Sequence, residues 1–148
     1  MKYDLATGLS ERLTFGSHSV YLNDISPDGT KLLCMAHKPN ITQCPFSLSA
    51  VFQLDLATLK TDTLVKWDAY LNGASYSPDG TQLLLTGSPS AFGGIGKNCG
   101  DLPIANDFDV QAFLMDLSTE EVTPITRDFN PAIINAAWNR ADGCIYFN

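Results

Sequence analysis

The run most suggestive of chemistry is Gly93-Gly94-Ile95-Gly96-Lys97-Asn98. A glycine-rich turn exposes backbone amides, and a lysine beside it can neutralise phosphate. Two positions oppose that reading: Ala91 stands where the first glycine of a phosphate loop belongs, and Asn98 where Ser or Thr would hold magnesium. No helical pattern follows, so the run reads as a loop. A serine nucleophile fares no better. Gly-x-Ser-x-Gly does not occur, and its nearest approach, Gly73-Ala74-Ser75-Tyr76-Ser77, has Ser at the second glycine and lies in a strand pattern. His18 and His37 lack Cys, Asp or Glu partners at metal spacing and read as loop histidines. The four cysteines, Cys34, Cys44, Cys99 and Cys144, form no C-x-x-C. Cys34 and Cys144 fall in strand patterns and read as small core residues. Asp28, Asp79 and Asp142 recur at turns, where short carboxylates cap local amides without calcium. The residues assign no catalytic, cofactor-binding or metal-binding position.

Composition narrows the partners. The chain has 148 residues, 45% hydrophobic and 17% charged, which supports one packed domain and does not resemble a disordered tail. Nine Lys and Arg against sixteen Asp and Glu leave a net charge of −7. That balance repels phosphate backbones and anionic headgroups, so nucleic acid is not an expected partner. No apolar run is long enough to span a bilayer, and Met1-Lys2-Tyr3-Asp4 does not open a secretory signal.

The elements that position these residues come from two alternating repeats. One reads Tyr3-Asp4-Leu5-Ala6-Thr7, Leu54-Asp55-Leu56-Ala57-Thr58 and Met115-Asp116-Leu117-Ser118-Thr119. The other reads Ser26-Pro27-Asp28-Gly29-Thr30, Ser77-Pro78-Asp79-Gly80-Thr81 and a looser Asn139-Arg140-Ala141-Asp142-Gly143. Pro-Asp-Gly presets a tight turn, and apolar segments flank it, which makes a hairpin. The Asp-Leu-x-Thr element joins a second strand pair, and no window sustains helical spacing of apolar residues. The expected fold is therefore all-β, built from four-stranded antiparallel blades at the roughly 40 to 50 residue period of a β-propeller.

Counting blades gives a half blade over 3–14, a blade over 19–66, a blade over 72–126 and a half blade over 133–148. Two blades are complete and two are halves. Propellers close with about 4 to 8 blades, so the sequence reads as a fragment of a longer ring. Its open strand edges would favour self-association, for instance by half blades pairing across two copies.

The Ser-Pro-Asp-Gly-Thr and Asp-Leu-x-Thr pair resembles the propeller repeat of TolB-like proteins. It also resembles the amino-terminal propeller of serine peptidases of the prolyl oligopeptidase and dipeptidyl-peptidase-IV type. The stretch 112–147, with Pro124-Ile125-Thr126, Asp128-Phe129-Asn130-Pro131, Trp138 and Ala141-Asp142-Gly143-Cys144, is more similar to bacterial members of the peptidase family. The resemblance implies a noncatalytic propeller that gates peptide access to a separate hydrolase domain, with export to the periplasm or medium. The alternative it implies is a TolB-like module that binds a protein or peptide. Glu120-Glu121 does not match the acidic pair of dipeptidyl peptidases: it aligns with Leu59-Lys60 in a turn.

Loops carry what specificity the chain has. The segment 88–109 exceeds the roughly 12 to 15 residues usual for a compact connection and holds Phe92, Asp101, Asp107 and Asp109, candidate contacts for peptide or for a hydrolase domain. A mobile insertion without a partner is the alternative. It should neighbour the shorter connection 37–49 on one face. Cys44 and Cys99 lie in these two equivalent loops, so they are either a disulfide in an oxidising compartment or two unrelated thiols.

Overall fold

The structure is a computed structural model describing residues 1–99, 108–129 and 132–148. Turn chemistry sets its architecture. In the first Ser-Pro-Asp-Gly turn Ser26 N–H donates to Lys31 O at 2.9 Å, Gly29 N–H donates to Ser26 O at 2.8 Å, and Gly29 takes a φ of +72°. The Ser77 turn repeats this at 2.9 and 3.0 Å, with Gly80 at +75°. A side chain is strained at that φ, which is why glycine closes both hairpins.

These turns join β3 (Ser19–Ile25) to β4 (Lys31–Pro39), and β7 (Leu71–Tyr76) to β8 (Gln82–Gly87). The Asp-Leu-x-Thr turns join β5 (Ser47–Asp55) to β6 (Thr61–Asp68), and β9 (Gln111–Asp116) to β10 (Val122–Pro124). Each set of four forms one antiparallel sheet, in the order β3-β4-β5-β6 and β7-β8-β9-β10. Two further hairpins, β1 (Lys2–Tyr3) with β2 (Ser10–Glu11) and β11 (Ala136–Trp138) with β12 (Ile145–Phe147), stand at the two ends. The chain is a partial β-propeller of four-stranded antiparallel blades. Almost no helix is present among the described residues; the exception is a short 3-10 turn, Ala91–Gly93.

Strand alternation explains how the sheets stack. From β4 and β5, Leu33, Met35 and Val51 face the second sheet and meet Leu83, Leu85, Phe113 and Met115 in one buried cluster. On β8 the intervening Leu84 points the other way, into a second cluster with Ala112, Ile133 and Trp138. The second sheet is thus covered on both faces, which accounts for its unbroken Leu83-Leu84-Leu85 run. The opposite face of the first sheet lines an apolar hollow of about 620 Å³ with Phe15, Trp67, Ala50 and Phe52. Polar ties reinforce the stack: Tyr76 N–H donates to Asp24 Oδ2 at 2.9 Å, and Arg140 Nη2 lies 3.9 Å from Asp24 Oδ1. Asp24 therefore touches the β7–β8 and β11–β12 hairpins.

Two local expectations change. The connection expected over 37–49 shrinks to 40–46, because His37, Lys38 and Pro39 continue the ladder opposite Ser49, Leu48 and Ser47. His37 is accordingly a strand residue. Asn40 closes the loop, its backbone N–H donating to Phe46 O at 2.8 Å and its Nδ2 to Pro45 O at 2.9 Å. The third hairpin turn is as long as the others but sets its Asp and Gly one position later: Asn139 N–H donates to Cys144 O at 2.8 Å and Gly143 N–H to Asn139 O at 2.9 Å. Cys144 is exposed before β12, not core, since no described residue covers that side of the hairpin. Cys34 is buried, and burial pushes its thiol pKa up.

Candidate functional site

Antiparallel order puts the Ser-Pro-Asp-Gly and Asp-Leu-x-Thr turns at one end of every blade. The connection between second and third strands, and the link to the next blade, emerge at the other end. These two ends differ in chemistry.

At the turn end the carboxylates of the repeated turns are used by their own turns. Asp28 Oδ1 accepts from Ser26 Oγ at 2.6 Å, from Thr30 N–H at 3.0 Å and from Thr30 Oγ1 at 2.9 Å. Asp79 repeats this with Ser77 and Thr81 at 2.6, 3.1 and 2.9 Å. Asp4, Asp55 and Asp116 each accept two backbone amides two and three residues ahead. Hydrogen bonds to the ionised form hold all five carboxyls below their ordinary pKa, with Ser26 leading at Asp28, which drops to about 2. A cleft of about 440 Å³ between the blades is lined here by Asp28, Asp62, Asp79, Glu120 and Lys31. Asp62 is engaged by Gln53 Nε2 at 3.2 Å.

Toward the loop end several polar groups are unspent. A hollow of about 530 Å³ is lined by Tyr21, Asn23, Met35, His37, Ser47 and Asn72. A second, of about 330 Å³, shares Asn23 and Asn72 and continues to Ile134 and Asn135. Together they form one trough along β3, β7 and the start of β11, the first strands of the two four-stranded sheets and of the last hairpin. Asn23, Asn72 and Asn135 are exposed, and their carboxamides have no partner among the described residues. His37 is fixed at one wall: its Nδ1 lies 3.1 Å from Ser49 Oγ, and its ring meets Tyr21 edge-on at 5.2 Å. Ser49 itself is buried and lines neither hollow, so the pair orients the imidazole and does not present a nucleophile.

Of the residues expected to make contacts, Phe92 and Asp109 lie among the described residues. Phe92 is half-buried, edge-on to Phe113 at 5.2 Å, and its N–H donates to Asp68 Oδ2 at 2.9 Å. Its ring therefore belongs to the core cluster. Asp109 is half-buried, whereas Asp101 and Asp107 lie outside the described residues. Cys44 is exposed, Cys99 is half-buried, and both are free thiols here. The glycine-rich run 93–97 is no phosphate cradle: a Cβ on Gly96 would come 2.5 Å from Gln111 Oε1, and Lys97 folds over Gly94. Among the described residues no three of His, Cys, Asp and Glu gather as a metal ion would require.

The sequence repeat could not point to the asparagines. By the 51-residue offset that carries Asp28 onto Asp79, Asn23 falls on Ala74 and Asn72 on Tyr21. They converge because each strand carries a bulge at a different position. The register of β3 shifts between Leu22 and Asp24, and that of β7 between Leu71 and Gly73.

No family model and no curated protein matches the chain. Solved structures do. TolB from Acinetobacter baumannii shares 23% identity at a TM-score of 0.59, over 88% of this chain and 26% of that one. A TolB described as putative, from Agrobacterium tumefaciens, shares 16% at 0.63, over 91% and 39%. The β-propeller domain of the Trilobed protease from Pyrococcus furiosus shares 11% at 0.58, over 88% and 34%. An acylaminoacyl peptidase from Pyrococcus horikoshii shares 14% at 0.52, over 83% and 16%. At these identities the likeness is one of fold, that of TolB-like and peptidase propellers. The chain spans between about a quarter and two fifths of the length of the first three.

Proposed function

We propose that this chain is a noncatalytic portion of a β-propeller that holds an extended peptide at its loop end. The convergence of Asn23, Asn72 and Asn135 on one trough carries this reading. A carboxamide offers two N–H donors and a carbonyl acceptor, the complement of a peptide unit. In the reading we favour, the trough guides peptide toward the hydrolase domain of a bacterial prolyl oligopeptidase-like serine peptidase. The loop over 88–109, including Phe92, Asp101, Asp107 and Asp109, is the element that would meet that domain. Fold likeness to the propeller of the Trilobed protease supports this. A second reading, a TolB-like module for a protein or peptide partner, draws on likeness to the two TolB structures. Both share the trough.

Two measurements test the proposal. Titrating the 148-residue chain into labelled extended peptides should give saturable binding; no binding by any peptide at millimolar concentration would remove it. Assayed on prolyl chromogenic substrates, the chain should be inactive, and turnover abolished by a serine-directed inhibitor would overturn the noncatalytic claim. Reading the gene onward from Asn148 separates the two parents: further Ser-Pro-Asp-Gly repeats followed by Gly-x-Ser-x-Gly favour the peptidase.

A further inference from the structure

Resting on that peptide-binding reading, we infer that the trough selects an uncharged stretch of extended peptide. It grips that stretch through side-chain amides at two β-bulges instead of by adding a strand. Three observations carry this.

The first is where the amides sit. β3 and β7 are edge strands of their sheets, and an edge ordinarily offers a row of free N–H and C=O groups for a further strand. Each carries one break in register, and the extra residue is an asparagine in both cases, Asn23 and Asn72. A bulge interrupts the regular ladder and re-aims its side chain. Continuous strand addition is thereby blocked while two carboxamides are turned outward.

The second is charge. Among the described residues no Asp, Glu, Lys or Arg lines either hollow, although the chain as a whole carries −7. The carboxylate next in sequence to Asn23, Asp24, is held by Tyr76 N–H and faces Arg140. A charged ligand side chain would lose water there and find no counter-charge, which costs more than leaving a neutral one. The third is the flanks: Tyr21 at one end is 60% exposed and Ile134 at the other 86%. They offer apolar surface to the uncharged side chains of the bound stretch.

The test uses the 148-residue chain and fluorescein-labelled peptides of roughly ten residues, about 33 Å when extended. Their centres are all neutral, or carry one Asp, or carry one Lys. The neutral peptide should bind at least about tenfold tighter than either charged one, with affinity nearly flat between about 0.05 and 0.5 M salt. Asn72→Ala should weaken every peptide by about tenfold, the size of one well-placed hydrogen bond. Asn72→Asp, of the same size at an exposed site, should move the preference to the Lys peptide, and Asn23→Asp should do so independently. Equal binding of neutral and charged peptides, with neither Asp variant changing their order, would overturn the inference and leave the peptide-binding reading standing. Absence of binding by all three would instead remove that reading, and the inference with it.

Discussion

The two ends of the blades use similar polar residues in opposite ways. At the turn end a dense set of carboxylates lines a cleft, yet Asp28 and Asp79 each accept from the hydroxyl and amide groups of their own five-residue turn. At the loop end, among the described residues, no carboxylate lines the trough and three bland carboxamides face it without partners. Density of ionisable groups is therefore a poor guide to a site in this molecule. Unspent hydrogen-bonding capacity is the better one, because a group already bonded must break that bond before it can serve a ligand.

The sharpest way to separate the two ends is to damage the turn end and ask whether the trough notices. Ser77 is 3% exposed, donates to Asp79 Oδ1 at 2.6 Å and accepts Gln82 N–H at 2.9 Å. Ser77→Ala leaves that amide unserved and removes one of the three bonds to Asp79 Oδ1, a loss of ~1 to 3 kcal/mol. Urea denaturation should record it, while peptide affinity, measured where the variant is folded, should stay within about twofold. A parallel loss of affinity would break the contrast.

Acid probes the same end collectively. The depressed pKa values of Asp4, Asp28, Asp55, Asp79, Asp116 and Asp142 arise from hydrogen bonds that the unfolded chain lacks. A carboxyl whose folded pKa lies below its unfolded value of about 3.9 stabilises the fold fully above that value. The contribution is lost as pH falls toward the folded pKa, about 2 for Asp28. The melting temperature should therefore fall between about pH 4 and pH 2. Asp28→Asn should flatten part of that fall; an unchanged profile would show that the turns do not supply it.

The turn end was legible in the sequence because Ser-Pro-Asp-Gly and Asp-Leu-x-Thr encode local geometry, and local geometry repeats. From it followed the all-β class and the order of strands. The trough was not legible. Asn23 and Asn72 occupy different positions of the repeat, and only bulges that the ladder reveals bring them together. Phe92 illustrates the converse: its place in a long loop suggested exposure, but Asp68 receives its N–H and Phe113 receives its ring. Tertiary partners 24 and 21 residues away in sequence decided its fate.

The smallest effect we expect concerns a position the three Asp-Leu-x-Thr turns treat alike. Four residues after the Asp, Gly8, Leu59 and Glu120 all adopt positive φ, at +71°, +57° and +61°. Each donates its N–H to the Asp carbonyl at 2.9 Å, so the turn demands that conformation whatever the residue. For glycine it is free of strain, whereas a side chain pays roughly 1 to 2 kcal/mol. Leu59→Gly relieves that strain but gives the unfolded chain more freedom, worth about 0.5 to 1 kcal/mol. Leu59 is also 47% exposed, so the leucine surrenders little burial. The balance is a gain of ~0.5 kcal/mol, or about 1 to 2 °C in melting temperature for a chain of this size. Glu120→Gly should gain a similar amount. Differential scanning calorimetry of the two single variants and their pair should show additive increments, because the turns belong to different blades and share no hydrogen bond. A loss of stability at either site would mean that the side chain, not the backbone, holds that turn.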